Sequence, residues 1–208
     1  MAIRIGVLGA GHFGRFHALK LAARGVLSGL HDADPARAAA VSAEAGAPAL
    51  TEAELIERSD AVVVAVPTAH HHARGIRVLE AGRHLLVEKP IAATVAEAEA
   101  LVGAAAARGL VLQVGHIERH SAAIRTLRAS GAAEAGALSF EAVRVAPFRP
   151  RGLDVSVVLD LMIHDLDLVL DLAGSPLAEV RAVGRAVMTP FPDFAVAQLR
   201  FESGAAAT

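Results

Sequence analysis

The sequence has no cysteine, tryptophan or tyrosine, only two lysines (Lys20 and Lys89), and no apolar run near the length of a bilayer span. Without cysteine there are no disulfides, no thiolate nucleophile and no cysteine-ligated metal or cluster. Without an apolar run of about 20 residues there is no candidate membrane-spanning helix. Neither sign of charge dominates, since 20 Lys+Arg stand against 22 Asp+Glu for a net charge of −2. Electrostatics therefore gives no reason to expect a nucleic-acid or anionic-membrane partner. Met1 leads almost directly into an apolar run that stops at Gly9, with no signal-peptide cleavage region. The cytoplasm is the default expectation.

What is present is a core-forming composition. Hydrophobic residues make up 54% of 208, and the 47 alanines account for much of the apolar balance. The length admits one large domain or two small ones. Up to Gly115, short β-branched runs alternate with alanine-rich stretches, which predicts βαβ units on a parallel sheet. The strands are expected at 3–8, 26–31, 61–66, 84–87 and 111–115. Asp34 with Pro35 should open a helix that Gly46 ends; Thr51/Glu54 and Thr94/Glu97 read as capping boxes, and Gly25, Gly82 and Gly109 as helix stops. Beyond Gly115 the pattern predicts a second, α+β unit: a strand over 138–146, a long helix over 155–173, and strands over 177–187 and 194–202. In the last strand Gln198, Arg200 and Glu202 alternate with Leu199 and Phe201, as in a sheet with one wet face. The expected domains are 1–118, a doubly wound parallel sheet, and 119–208, a mostly antiparallel open sheet whose abrupt end at Thr208 suggests an incomplete domain. There is no internal repeat, low-complexity tail or charged linker.

Gly9-Ala10-Gly11-His12-Phe13-Gly14 joins the first strand to the first helix with glycine at all three GxGxxG positions. The first allows the tight turn, the second lets backbone approach a pyrophosphate, and the third packs helix on strand. Helix amides then face the anion. Asp32 ends the second strand, 18 residues after Gly14, where a carboxylate accepts hydrogen bonds from an adenosine ribose and repels a 2′-phosphate. NAD is therefore expected over NADP, although Arg37 lies close enough to weaken the preference. The plain alternative is a tight turn beside an ordinary loop acid.

Glu88-Lys89-Pro90 follows the strand 84–87, so it projects from a carboxyl edge where open parallel sheets hold ligands. Lys89 could stabilise developing charge on a substrate oxygen, or be half of a surface ion pair. In the second unit, Asp160, His164, Asp167 and Asp171 fall within a stripe of about 60° on an otherwise apolar helix, with Asp165 well away from it. Asp160, one turn from His164, would orient a general base of the kind alcohol oxidation requires. A solvated acidic face or a divalent-metal site on the same spacing are the other possibilities; no further metal ligand is evident, and none is expected. His70-His71-His72 begins a helix and should include at least two solvent-facing rings.

Together these residues resemble the glucose-fructose oxidoreductase/inositol dehydrogenase (Gfo/Idh/MocA) superfamily: the glycine loop with His17, Pro67-Thr68 with His71, Glu88-Lys89-Pro90, and Asp160 to His164. The resemblance implies a Rossmann domain followed by an α/β domain on a large open sheet. It implies cofactor contacts from Gly9, Gly11, His12, Phe13, Gly14, Asp32, Pro67, Thr68, His71, Glu88 and Lys89, and a reaction centre of Lys89, Asp160 and His164. It further implies sugar or cyclitol substrates and homodimers or homotetramers formed through the second sheet. Gly115-His116-Ile117-Glu118-Arg119 and the segment 158–167 look most like the nucleotide-sugar branch, in which Arg119, Arg149 and Arg151 would serve the substrate. His120-Ser121 departs from that branch. A cofactor-binding module without catalysis, acting as a redox sensor or a truncated relative, is the competing class; an imine or tetrapyrrole reductase would leave Asp160 and His164 unexplained.

Overall fold

The computed structural model describes residues 3–131, 136, 138–147 and 155–208. The chain divides into two compact units, Met1–Gly115 and His116–Thr208, three residues before the expected boundary.

The first unit runs β1 (Ile5–Leu8), α1 (His12–Ala23), β2 (Leu27–His31), α2 (Pro35–Ala45), α3 (Glu52–Arg58), β3 (Ala61–Val64), α4 (His71–Glu80), β4 (His84–Val87), α5 (Val95–Ala107) and β5 (Leu112–Val114). Its five strands are parallel in the order β2-β1-β3-β4-β5. The chain leaves β1 toward β2 and then returns past β1 to β3, which is a topological switch point at the carboxyl ends of β1 and β3. The predicted caps form as the local chemistry requires. The Asp34 carboxylate accepts from the amides of Ala36 and Arg37; Thr51/Glu54 and Thr94/Glu97 close both capping boxes; Gly46 ends α2 in the left-handed region at φ 63°.

Alternate strand residues bury on opposite faces. Leu8, Val62, Val64, Leu85 and Val87 pack with Leu55, Val78, Leu79 and Leu101 on one side; Val7, Leu30 and Val63 pack with Ala18, Ala38 and Val41 on the other. Each fully buried Leu or Val contributes about 1.5–3 kcal/mol. Covering both faces is what a parallel sheet needs.

The second unit holds a 3₁₀ turn (Ile117–His120), α6 (Ala122–Ala129), β6 (Ser139–Phe140), a π turn (Val158–Met162), α7 (Ile163–Ala173), β7 (Leu177–Arg185), β8 (Phe194–Phe201) and β9 (Ala206–Ala207). The sheet order is β6-β9-β8-β7, antiparallel except for β6 with β9. Val169, with Leu166 and Ala173 beside it, packs α7 onto Leu199, Phe201 and Ala207. The alternation in β8 holds, with Leu199 and Phe201 buried and Gln198 and Arg200 exposed.

Three expectations change. The strand predicted over 138–146 is paired where β9 faces it, at Ser139–Phe140 with flanking backbone bonds from Leu138 to Ala142, because a strand is held by the ladder it makes and not by its own pattern. The helix predicted over 155–173 opens with the π turn, which no residue type in the segment marks. The helix α6, capped by Ser121 Oγ accepting from the Ile124 amide, was not expected at all.

Candidate functional site

The register of the parallel sheet decides where the candidate residues stand. His31, Leu8, Val64, Val87 and Val114 form one row across the five strands. The next row continues the ladder: the amides of Gly9, Ala65, Glu88 and Gly115 donate to the carbonyls of His31, Leu8, Val64 and Val87. Gly9, Asp32 and Glu88 are thus brought to one carboxyl edge, with Lys89 immediately after.

The glycine loop has the shape its spacing implies. Gly9 adopts φ +96°, and a Cβ on Gly14 would lie 1.7 Å from the Gly9 carbonyl oxygen, so neither position admits a side chain without rebuilding the turn. A Cβ on Gly11 would meet nothing within 4 Å, leaving the loop open at that point. Unlike α2, α3, α5 and α6, helix α1 starts without a side-chain cap, so its first amides stay available to an anion. His12 stacks edge-on against Phe13 and Phe16, and Phe13 and Phe16 are exposed. These features fit a dinucleotide.

Asp32 is more engaged than its spacing suggests. Its carboxylate accepts from the Ala10 amide at 2.6 Å and from the Asp34 amide at 2.8 Å. Arg37 Nη1 adds a contact at 3.3 Å, so the cation noted in the sequence does reach Asp32.

The lysine turn is held from two sides. The buried Glu88 carboxylate meets His17 Nε2 of α1 at 2.6 Å through Oε1, and its Oε2 accepts from the Lys89 amide at 3.3 Å. Lys89 and Pro90 are joined by a cis peptide. His71 is 1% exposed, with Nδ1 2.8 Å from the Pro90 carbonyl oxygen and Nε2 2.8 Å from that of Val66. The ring expected among the cofactor contacts is therefore spent on backbone. Pro67 and Thr68 sit at the start of a 3₁₀ turn that leads into α4. Of the three adjacent histidines, His70 is exposed and His72 half-buried.

In the second unit, Asp160 lies half-buried in the π turn and His164 half-buried in the first turn of α7. The acidic stripe is answered by arginines from other elements, which helix spacing alone could not reveal. Arg119 donates to both Asp167 oxygens at 2.7 and 2.6 Å and to Asp171 at 3.1 Å; Arg128 pairs with Asp171; His116 Nδ1 lies 3.8 Å from Asp167. The hydrogen bond to Asp167, then the fields of Asp167 and Asp171, hold the Arg119 guanidinium above its ordinary range. Arg119, expected at the substrate, is thus committed to α7. Asp165 points elsewhere, as its phase requires, and takes a two-pronged contact from Arg144 at 2.9 and 2.8 Å. That pair edges an apolar pocket of about 480 Å³ lined by Leu161, Met162, Leu166, Val196 and Leu199 among others; Asp160, His164, Asp167 and Asp171 do not line it. Arg149 and Arg151 lie outside the described residues.

Residues 3–116 match the oxidoreductase family of Gfo/Idh/MocA proteins described by its NAD-binding Rossmann fold, and residues 144–208 match a Gfo/Idh/MocA C-terminal domain. The chain belongs to the Gfo/Idh/MocA family. Among its relatives within that family is the UDP-N-acetylglucosamine 3-dehydrogenase of Acidithiobacillus ferrooxidans, 46% identical over 206 residues that cover 99% of this chain and 65% of the relative. A solved structure of that enzyme superposes with a TM-score of 0.92 over 100% of this chain and 66% of the other. An inositol 2-dehydrogenase of Acidothermus cellulolyticus is 34% identical over 92% of this chain and 60% of the relative. The WlbA dehydrogenase of Bordetella pertussis, solved with NADH and UDP-GlcNAcA, is 25% identical with a TM-score of 0.85, covering 99% of this chain and 67% of that one. The chain thus spans about two thirds of the length of these Gfo/Idh/MocA relatives. Among the described residues no helix is long and apolar enough to cross a membrane, and no cluster of three or more His, Asp or Glu could hold a metal ion.

Proposed function

We propose that this chain carries the chemistry of an NAD-dependent dehydrogenase that oxidises a secondary hydroxyl of a sugar, nucleotide-linked in preference to free, to a ketone. The observation that carries the proposal is the row at the carboxyl edge of the parallel sheet, which the glycine loop, Asp32 and the lysine turn share, with only Ala65 of the strand between Gly9 and Glu88. Gly9 and Gly14 allow the tight turn, and Gly11 leaves room for a pyrophosphate against the uncapped end of α1. His12, Phe13, Pro67 and Thr68 flank it, and Asp32 takes the ribose. When bound, NAD supplies the hydride acceptor.

In this scheme the chain's own residues manage the proton and the charge. His164 removes the hydroxyl proton, Asp160 orients the ring and favours its protonated form, and Lys89 stabilises the oxygen as it becomes a carbonyl. Arg149 and Arg151 are assigned to the substrate diphosphate, for which guanidinium groups provide two-pronged contacts. The nucleotide-sugar preference draws on the 46% identity to a UDP-N-acetylglucosamine 3-dehydrogenase. Exposed Val183 on β7 and Phe194 and Val196 on β8, which share one face, support a homodimer or homotetramer through the second sheet. The cytoplasm is the compartment assumed.

NADH formation measured over UDP-sugars, free sugars and inositols tests the assignment, and the absence of tryptophan and tyrosine lets NADH emission be read without protein background. Lys89→Ala should lower turnover by about 10²–10³-fold and His164→Ala by about 10²–10⁴-fold. Equal turnover in the wild type and both variants would remove the proposed roles.

A further inference from the structure

His17 and Glu88 are 71 residues apart, yet their side chains meet at 2.6 Å in a part-buried contact. Neither belongs to the glycine loop or carries the amine. Glu88 is 8% exposed, a position where a carboxylate is costly unless its oxygens are satisfied. One oxygen faces His17 and the other accepts the Lys89 amide. The carboxylate therefore joins α1, whose first turn forms the glycine loop, directly to the backbone of the lysine.

A third residue completes the arrangement from below. A Cβ on Gly115 would lie 2.7 Å from Glu88 Oε2 and 3.0 Å from its carboxyl carbon. Gly115 does not have a positive φ, so conformational freedom does not account for glycine there. The space does: the Glu88 side chain lies where any larger residue would put its first carbon.

We propose that His17 is a positioning residue, which through the Glu88 carboxylate seated on Gly115 fixes where the Lys89 backbone starts and so where its amine reaches. The proposal rests on Lys89 acting in the reaction, and its test separates the two. A displacement of about 1 Å at a reacting group costs about 100-fold in rate, so loss of the contact should fall on kcat. Binding at the glycine loop should be almost unaffected, because His17 is outside that turn and the oxygens of Glu88, a residue the resemblance counts among the cofactor contacts, are turned to His17 and the Lys89 amide.

Having only Lys20 and Lys89 makes the position of the amine observable. Reductive methylation with ¹³C-formaldehyde labels two side chains and the N-terminus of the full chain, each with its own NMR signal. In His17→Ala the Lys89 signal should move further than that of Lys20, although Lys20 is only one helical turn from the substitution. His17→Gln, which keeps an N–H donor, should return it toward the wild-type position. Gly115→Ala, which displaces the carboxylate while leaving His17 and Lys89 in place, should move it as well. In turnover, His17→Ala should lower kcat by about 10–100-fold with the Kd for NADH changed by less than about threefold, and His17→Gln should recover most of the loss.

An unmoved Lys89 signal in both His17→Ala and Gly115→Ala overturns the proposal. So does a loss of NADH affinity as large as the loss of kcat, which would make His17 a cofactor contact. Full turnover in Lys89→Ala defeats the catalytic reading of the lysine alone, since the NMR arm measures the amine's position whether or not it is used.

Discussion

Leu101 and Leu199 are the same side chain in two settings. Leu101 is fully buried in the first unit, enclosed by Leu85 and by α4 where Gly75 leaves room for it. Leu199 is 6% exposed in the second unit, in a small cluster under α7. The first unit covers both faces of its sheet with hydrocarbon. The second covers one and exposes Val183, Phe194 and Val196 on the other. Its helix α7, packed on the covered face through Val169, is tied by charge as well: Arg119 to Asp167 and Asp171, Arg128 to Asp171, and Arg144 to Asp165. Hydrocarbon burial fixes how much a unit is worth, whereas directional pairs fix which way a helix faces. The candidate groups follow the same division, with those of the first unit set by sheet register and those of the second by the facing of α7.

Substitutions can sharpen or break this contrast. Leu101→Ala should cost about 3–5 kcal/mol, because an enclosed site collapses poorly. Hydrogen exchange that reports amides of each unit separately is the suitable measurement, since two units need not unfold together. Leu199→Ala should cost about 2 kcal/mol in the second unit alone. Equal losses would mean that the two cores are equally closed and would end the comparison.

Arg119→Lys keeps the charge but loses the fork that meets both Asp167 oxygens. A loss of about 1 kcal/mol is expected, with a larger effect on the exchange of α7 amides than on those of the sheet. No change in α7 would show that the arginine only decorates the helix.

The smallest effect concerns Asp193, at the loop between β7 and β8. Its carboxylate accepts from the amides of Met188, Val187 and Thr189, and these bonds, that of Met188 foremost, hold it below the usual aspartate range. A lowered folded value means stability that is complete above the usual range and withdrawn as pH falls through the lowered one. The three amide resonances should therefore titrate together, with a midpoint below that of an unstructured aspartate. A midpoint at or above it would count against the contact.

Signals carried within one turn were legible in the sequence. Asp34-Pro35, the two Thr/Glu boxes and the helix-stopping glycines act on neighbours three or four residues away, and the structure forms them as expected. The glycine loop and Asp32 were legible because their spacing encodes a strand-turn-helix-strand unit. Contacts across the chain were not. His17 meets Glu88 over 71 residues, and Arg119 meets Asp167 over 48; no periodicity links such pairs. Asp167 and Asp171 were rightly placed on one face, but their partners come from the 3₁₀ turn and α6, whose sequence carries only a lone Ser121 cap as a signal. The strand expected over 138–146 failed for a related reason, since its length depends on β9.

The π turn at Val158–Met162 gives the second unit an unusual kind of vulnerability. An i→i+5 turn holds one residue more than an α-turn, so the angular offset between Asp160 and the rest of α7 is encoded by counting rather than by chemistry. Removing any single residue from the segment would let it rewind as ordinary helix with the chain on either side kept in nearly the same phase, so that only the residues inside the segment, Asp160 among them, change bearing. Swapping one apolar side chain for another would leave the offset intact. Point variation can explore this stretch freely, while a one-codon deletion would turn Asp160 away from the bearing it now keeps.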